Sequence, residues 1–331
     1  MLTTRQNFML LINKEVPEYV PTYNLFWAFN TPPFLRGERN EDGTGKDIFG
    51  VESAIDSGGI NPPMPKTHDF ILPDITKWRD VIKVPDISDI DESAWIDMAK
   101  ESWDAHNPEK PFGGGTTFGF FQPLVAFMGF TDGLVACFEE PDEVKALMEY
   151  LCDFAVEAGK KYLYYYRPDF GFLGDDIAHE HNPFLSLAMF KDLMAPSWRR
   201  YYSIFVEAGL PVGHHNCGHF EEYLDELVDM GVSFWDPVQS SNDKLAIKEK
   251  FGRNLAMCGG LEQRFWNDDT PEEQVRAEFR ALLDMLAPGG GFAIGEGVVT
   301  PGSNPNASDV QKQRIEWMAD EYEQLKFSYY A

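Results

Sequence analysis

From about residue 110 onward, two kinds of apolar pattern alternate along the chain. Short runs dominated by apolar side chains lie at residues 116–122, 170–174, 210–215, 232–235, 254–257 and 291–294, and an earlier one lies at 19–23. Their length and density are those of buried strands. Between them, residues 141–166, 185–208, 220–230, 243–251 and 271–286 space their apolar positions as helices do. Gly209, Gly231 and Gly252 follow three of these helices, where a left-handed C-terminal cap favours glycine. Regular strand–helix alternation with short connections predicts a parallel sheet. This many units predicts an α/β fold closed as a (β/α)8 TIM barrel.

Residues from about 26 to 112 break that rhythm. Thr31-Pro32-Pro33, Glu41-Asp42-Gly43-Thr44-Gly45 and Asn61-Pro62-Pro63-Met64-Pro65 punctuate the segment with turn formers. We expect an irregular extension over one barrel mouth, with short strands of its own, inside a single domain spanning residues 1–331. No internal repeat or low-complexity tail is visible.

Composition narrows the partners. Against 54 Asp and Glu stand only 28 Lys and Arg, a formal net charge of -26. Nucleic acid, which is held by clustered cations, is therefore excluded as a partner, and a polyanionic substrate would need a local basic cleft. No apolar run approaches the roughly 18 residues of a membrane helix. The run Phe8-Met9-Leu10-Leu11-Ile12 is too short for a signal peptide. A cytoplasmic protein without membrane attachment is expected. The four cysteines, Cys137, Cys152, Cys217 and Cys258, form no CxxC pair; Cys137 and Cys152 lie in helical sequence as apolar fillers. Gly113-Gly114-Gly115 lacks the Lys-Ser/Thr of a phosphate-binding loop.

In a TIM barrel the chemistry sits at the C-terminal ends of the strands. Those ends carry Gly174-Asp175-Asp176, His215-Asn216-Cys217, Asp236-Pro237-Val238-Gln239, Cys258-Gly259-Gly260-Leu261-Glu262 and Gly295-Glu296-Gly297. Gly213-His214-His215-Asn216-Cys217-Gly218-His219 concentrates three of the seven histidines. On a strand, His215 and Cys217 share a face while His214 and Asn216 point the other way. One imidazole and one thiol suit zinc, which needs a third protein ligand and one open position for catalysis. Glu296, Cys258 and Asp176 are the candidates for that third ligand. Glu296, between two glycines, is preferred, with Cys258 as the alternative. Asp175 and Asp176 either serve the site or cap a helix. Asp176 and Glu262 are candidate catalytic groups. Phe118, Phe120, Asp175, Trp235 and Gln239 are candidate substrate contacts around an aromatic pocket. His219 belongs to the next helix, and His179 and His181 to the surface or a lid.

This ordered set of strand ends resembles the uroporphyrinogen decarboxylase superfamily, and so does the opening Leu2-Thr3-Thr4-Arg5-Gln6-Asn7-Phe8 followed by Glu18-Tyr19-Val20-Pro21. The resemblance implies a TIM barrel along nearly the whole chain. Arg5 is the only arginine before Arg36, so the arginine-rich signature that holds the carboxylates of a porphyrinogen is missing. The chain looks instead like the zinc- and corrinoid-dependent methyltransferases of that superfamily, whose zinc motif is His-x-Cys with a later Cys. His215 and Cys217 match, and the third position falls at Glu296. A carboxylate there gives a harder metal, suited to polarising an oxygen. The resemblance therefore implies transfer of a methyl group from a methoxylated, aromatic substrate to the Co(I) of a separate corrinoid protein. Its rivals are transfer from a methylcorrinoid to a thiol or folate, a porphyrinogen-type decarboxylase, and a non-catalytic binder.

Overall fold

Seven short parallel strands curve around a common axis in the computed structural model, which describes residues 1–330 apart from 43, 56–63, 67, 116–117, 263–265 and 304–305. The strands are β1 (Thr22–Tyr23), β6 (Gly113–Gly114), β7 (Phe170–Gly174), β8 (Val212–His215), β9 (Val232–Asp236), β10 (Ala256–Cys258) and β11 (Phe292–Gly295), in the order β1-β11-β10-β9-β8-β7-β6. This is the TIM-barrel-like α/β fold expected, with the seam between β6 and β1 closed differently from the rest. There, side chains replace a ladder: Asn30 Nδ2 donates to the Gly113 carbonyl (3.1 Å) and Thr31 Oγ1 to the Gly115 carbonyl (3.1 Å). Helix α1 (Thr4–Ile12), capped by Thr3, places Phe8 in the barrel interior, within 5.7 Å of the Tyr23, Trp27 and Phe234 rings.

The segment expected as an extension has more order than its composition announced. It holds a four-stranded antiparallel sheet of β2 (Glu38–Arg39), β3 (Gly45–Lys46), β4 (Glu52–Ala54) and β5 (Met64–Pro65), and the helices α2 (Trp78–Val81) and α3 (Glu92–Ala105). Residues 61–63 of the proline-rich run lie outside the described residues. The segment packs on the flank of the barrel, where Phe49 meets Phe118 and Phe127 at 5.2 Å each and Trp95 stacks on Tyr165 at 5.5 Å. Its two ends, around residues 24–29 and at Lys110, return to the barrel mouth.

The outer layer comprises α4 (Phe121–Met128), α5 (Phe130–Glu139), α6 (Pro141–Tyr166), α7 (Leu187–Leu193), α8 (Ala195–Glu207), α9 (Leu224–Asp229), α10 (Lys244–Phe251), α11 (Glu272–Leu286), α12 (Glu296–Val299) and α13 (Asp309–Leu325). The strand expected at 116–122 is a correction. Residues 116 and 117 lie outside the described residues, the strand is β6 before them, and α4 starts at Phe121. A short apolar run does not by itself separate a buried helix from a strand. The expected helix at 185–208 breaks at Met194, with a proline in the first turn of α8. Gly209, Gly231 and Gly252 take φ of +76°, +92° and +53°, as their cap positions require. Among the described residues, no single helix is long and apolar enough to cross a membrane.

Candidate metal centre

Parallel register brings the chemistry together. Gly174 pairs with His215, and His215 with Asp236. With a side-chain period of two, His215 and Asp236 share the inner face, and Asp176 and Cys217 continue it just past the strand ends. Underneath, Phe234 fills the interior so tightly that a Cβ on Gly213 would lie 2.2 Å from its ring. His215 Nε2 lies 3.7 Å from Cys217 Sγ and 3.7 Å from Asp176 Oδ1. Asp176 Oδ1 also accepts the Cys217 amide at 2.7 Å, which locks the two loops in register. The three ligand atoms lie within 4.8 Å of one another and could hold one metal ion. Ligands around tetrahedral zinc sit about 3.5 Å apart, and an imidazole, a thiolate and a carboxylate are all zinc donors. The side chains of His215 and Asp176 are 19% and 34% exposed, so solvent reaches the cluster.

Asp236 orients the histidine. His215 Nδ1 lies 3.0 Å from Asp236 Oδ2. A carboxylate only accepts, so Nδ1 carries a proton, and Nε2, the nitrogen a metal would take once its own proton is displaced, faces Asp176 and Cys217. The Tyr23 hydroxyl donates to the other oxygen, Asp236 Oδ1, at 2.9 Å. Burial tends to lower the His215 pKa, but hydrogen bonds to Asp236 and Cys217 and the charges of Asp236 and Asp176 outweigh it and raise it well above the ordinary value. A metal ion therefore competes with a proton here. Burial, aided by the charge of Asp236, pushes the Tyr23 hydroxyl up and keeps it a donor.

Several residues expected at the site are placed elsewhere. Asp175 is fully buried and accepts from the amides of Phe120 (2.7 Å), Phe121 (3.0 Å) and Gln122 (2.9 Å) and from Trp198 Nε1 (3.0 Å). It caps the start of α4. Phe120 is buried beside it, and Phe118 packs outside the barrel against Phe49 and Phe154. Trp235 points outward between strand and helices, 5.9 Å from Phe220, with its Nε1 bonded to the Asn216 carbonyl. Gln239 braces the loop after Cys217 by accepting the Gly218 amide at 2.6 Å, and Glu262 accepts the Ser240 amide. His214 faces away as expected, 2.7 Å from the Tyr202 hydroxyl. His219 is tied to the Ser241 carbonyl.

Neither Glu296 nor Cys258 joins the cluster, and Asp176 takes the third place. Glu296 accepts from Asn24 Nδ2 at 2.9 Å and is ion-paired with Lys110. Cys258 is buried near Asp236, and burial pushes its thiol well up. Both line a cavity of about 570 Å³ at the C-terminal ends of β1, β9, β10 and β11, together with Tyr23, Asn24, Phe26 and Asp236. Asp236 thus joins cavity and cluster. Among the residues that sequence reasoning left without a role, Asp236 was detectable, since it ends the strand next to that of His215. Tyr23, Asn24 and Lys110 carried no such signal.

The sequence matches the family described as Uroporphyrinogen decarboxylase (URO-D) over residues 65–308. No curated protein matches it significantly. Among solved structures, a methyltransferase from Methanosarcina mazei is similar over 98% of this chain and 99% of its own, at 13% sequence identity and a TM-score of 0.61, a likeness of fold. The family match spans the barrel from its flanking segment past β11 and includes every residue of the metal cluster, and the chain belongs to the URO-D family.

Proposed function

We propose that this protein is a zinc-dependent methyltransferase that moves a methyl group from a methoxylated aromatic substrate to the Co(I) of a corrinoid carried by a partner protein. The observation that carries the reading is the His215, Cys217 and Asp176 cluster, backed by Asp236, which also lines a cavity at the strand ends. A zinc ion held there supplies Lewis acidity toward an ether oxygen. The chain's own residues do the rest. Asp236 fixes the His215 tautomer, Tyr23 fixes Asp236, and Phe26 offers an apolar face to the substrate at the rim. The methyl carbon leaves its oxygen, which keeps the electron pair of the C–O bond and takes up a proton from solvent, and bonds to the Co(I) nucleophile. The similar Methanosarcina mazei structure is a methyltransferase, which supports this branch.

Decarboxylation of a porphyrinogen is the reading the family description invites. Against it, no Lys or Arg lines the cavity among the described residues, whereas Asp236 and Glu296 do. A substrate bearing several carboxylates would find repulsion there. The test is metal analysis of the purified protein, followed by methyl transfer to a reduced corrinoid protein from a panel of methoxyarenes, methylamines and methylthiols. We expect stoichiometric zinc, lost in Cys217→Ala, and turnover of methoxyarenes alone. A protein without zinc, or one active only on thiols or as a decarboxylase, overturns the reading.

A further inference from the structure

We propose that Glu296, held by Asn24 and Lys110, is the specificity-determining residue of the cavity and selects aromatic methyl ethers bearing a hydroxyl over those bearing a carboxylate. This rests on the methyltransferase reading above and names its substrate class. Glu296 is the first residue after β11, and its side chain is only 14% exposed. Asn24 reaches it from the end of β1 and Lys110 from the segment before β6, so three separate stretches converge on one carboxylate. Each carboxylate oxygen has two acceptor sites, and each has one protein partner here, which leaves capacity for a donor from the cavity. Phe26, 75% exposed on the rim, gives an aromatic ring a face to lie on.

Charge decides what that ring carries. A zinc ion with the Cys217 thiolate and the Asp176 carboxylate is formally neutral. Lys110 offsets Glu296, and Asp236 leaves the lining negative. The Lys110 ammonium is already committed, bonded to Glu296 and lying 5.4 Å from the Trp27 ring centre. A hydroxyl can donate to Glu296, whereas a carboxylate meets two carboxylates and, among the described residues, no uncommitted cation in the lining. Removing the charge of Glu296 releases Lys110, so the same substitution that weakens the hydroxylated ligand should admit the carboxylated one.

The experiment is calorimetric titration of the zinc-loaded, full-length protein with a methoxyphenol and the matching methoxybenzoate. The wild type should bind the phenol about tenfold tighter or better, the scale of one hydrogen bond to a charged group. Glu296→Gln should weaken the phenol by about tenfold and strengthen the benzoate, and adding Lys110→Met should remove that gain. Lys110→Met alone should raise the preference for the phenol, which keeps the test available if Glu296→Gln does not fold. A wild type that prefers the benzoate or binds neither, or variants that leave the ratio unchanged, would overturn the proposal. Zinc content read on the same samples separates the two readings. Loss of zinc from the wild type defeats the metalloenzyme, while full zinc with an unchanged ratio defeats this selectivity alone.

Discussion

Two sectors of one barrel rim use the same ingredients to different ends. In the sector of β7, β8 and β9, register sets Gly174, His215 and Asp236 side by side, and Asp176 and Cys217 follow just beyond. Imidazole, thiol and carboxylate converge there, with no lysine or arginine among them in the described residues. In the sector of β11 and β1, Glu296 occupies an equivalent strand-end position, yet it meets Lys110 and Asn24. A strand end places a polar side chain on the rim. What arrives from neighbouring strands and loops decides whether it joins a set that could hold a metal or pairs with another side chain.

The largest break in that comparison comes from the ligands themselves. Cys217→Ala should lower zinc affinity on the order of a thousandfold, because one of three protein ligands is gone. Glu296→Ala should leave zinc affinity within about twofold, since its carboxylate lies outside the metal cluster. Competition against a chromogenic chelator measures both. If Glu296→Ala releases zinc as Cys217→Ala does, the two sectors form one centre and the distinction fails.

Next in size is the residue shared by cluster and cavity. Asp236→Asn should weaken zinc by about 10–100-fold while the fold is retained, the usual scale for the partner of a metal-binding histidine. An amide offers one acceptor oxygen, so His215 and Tyr23 can no longer each have their own. A smaller effect tracks pH. Because the His215 pKa is raised, acid restores a proton that zinc must displace, so affinity falls as pH drops. Release of the His215 proton contributes at most tenfold per pH unit to that fall, beside the proton that the Cys217 thiol must lose. The fall should flatten in Asp236→Asn, which removes the hydrogen bond and charge that hold the His215 proton.

How much of this was legible beforehand follows the same division. Strands β7 to β11 lay at or within a residue or two of their apolar runs, since each is buried on both faces and is set between clearly amphipathic helices. His215 and Cys217 were readable because strand alternation is local. The third ligand was not. Asp176, Glu296 and Cys258 all end strands, and only the cross-strand register and the arrival of Lys110 separate them. Trp235 and Phe118 were expected at the pocket on aromatic character alone. Period-two alternation through Phe234 and Asp236 turns Trp235 outward instead. The glycine strand β6 was hidden for a packing reason: a Cβ at Gly113 would sit 2.1 Å from the Phe170 ring.

The smallest expected effect on the metal, and the finest test of the comparison, concerns adjacent carboxylates. Asp176 faces the cluster, whereas Asp175 turns inward to four donors from the start of α4 and Trp198. Burial dominates there and raises the Asp175 pKa from its ordinary 3.8 to about 6, despite those hydrogen bonds. A carboxyl whose folded pKa is raised contributes stability that is fully present below its unfolded value and lost as pH climbs through the folded one. That difference amounts to roughly 3 kcal/mol for so buried a group. Asparagine does not titrate, but it replaces an acceptor oxygen with a donor facing other donors, at about 1–3 kcal/mol. Urea unfolding of wild type and Asp175→Asn should therefore show a gap that favours the wild type most in acid. The gap should narrow by up to about 3 kcal/mol from about pH 4 to pH 7. Zinc affinity should stay within about twofold throughout, because the Asp175 carboxylate bonds to Phe120, Phe121, Gln122 and Trp198 and to none of the ligand side chains. If zinc is lost along with stability, the inward carboxylate is part of the metal centre after all.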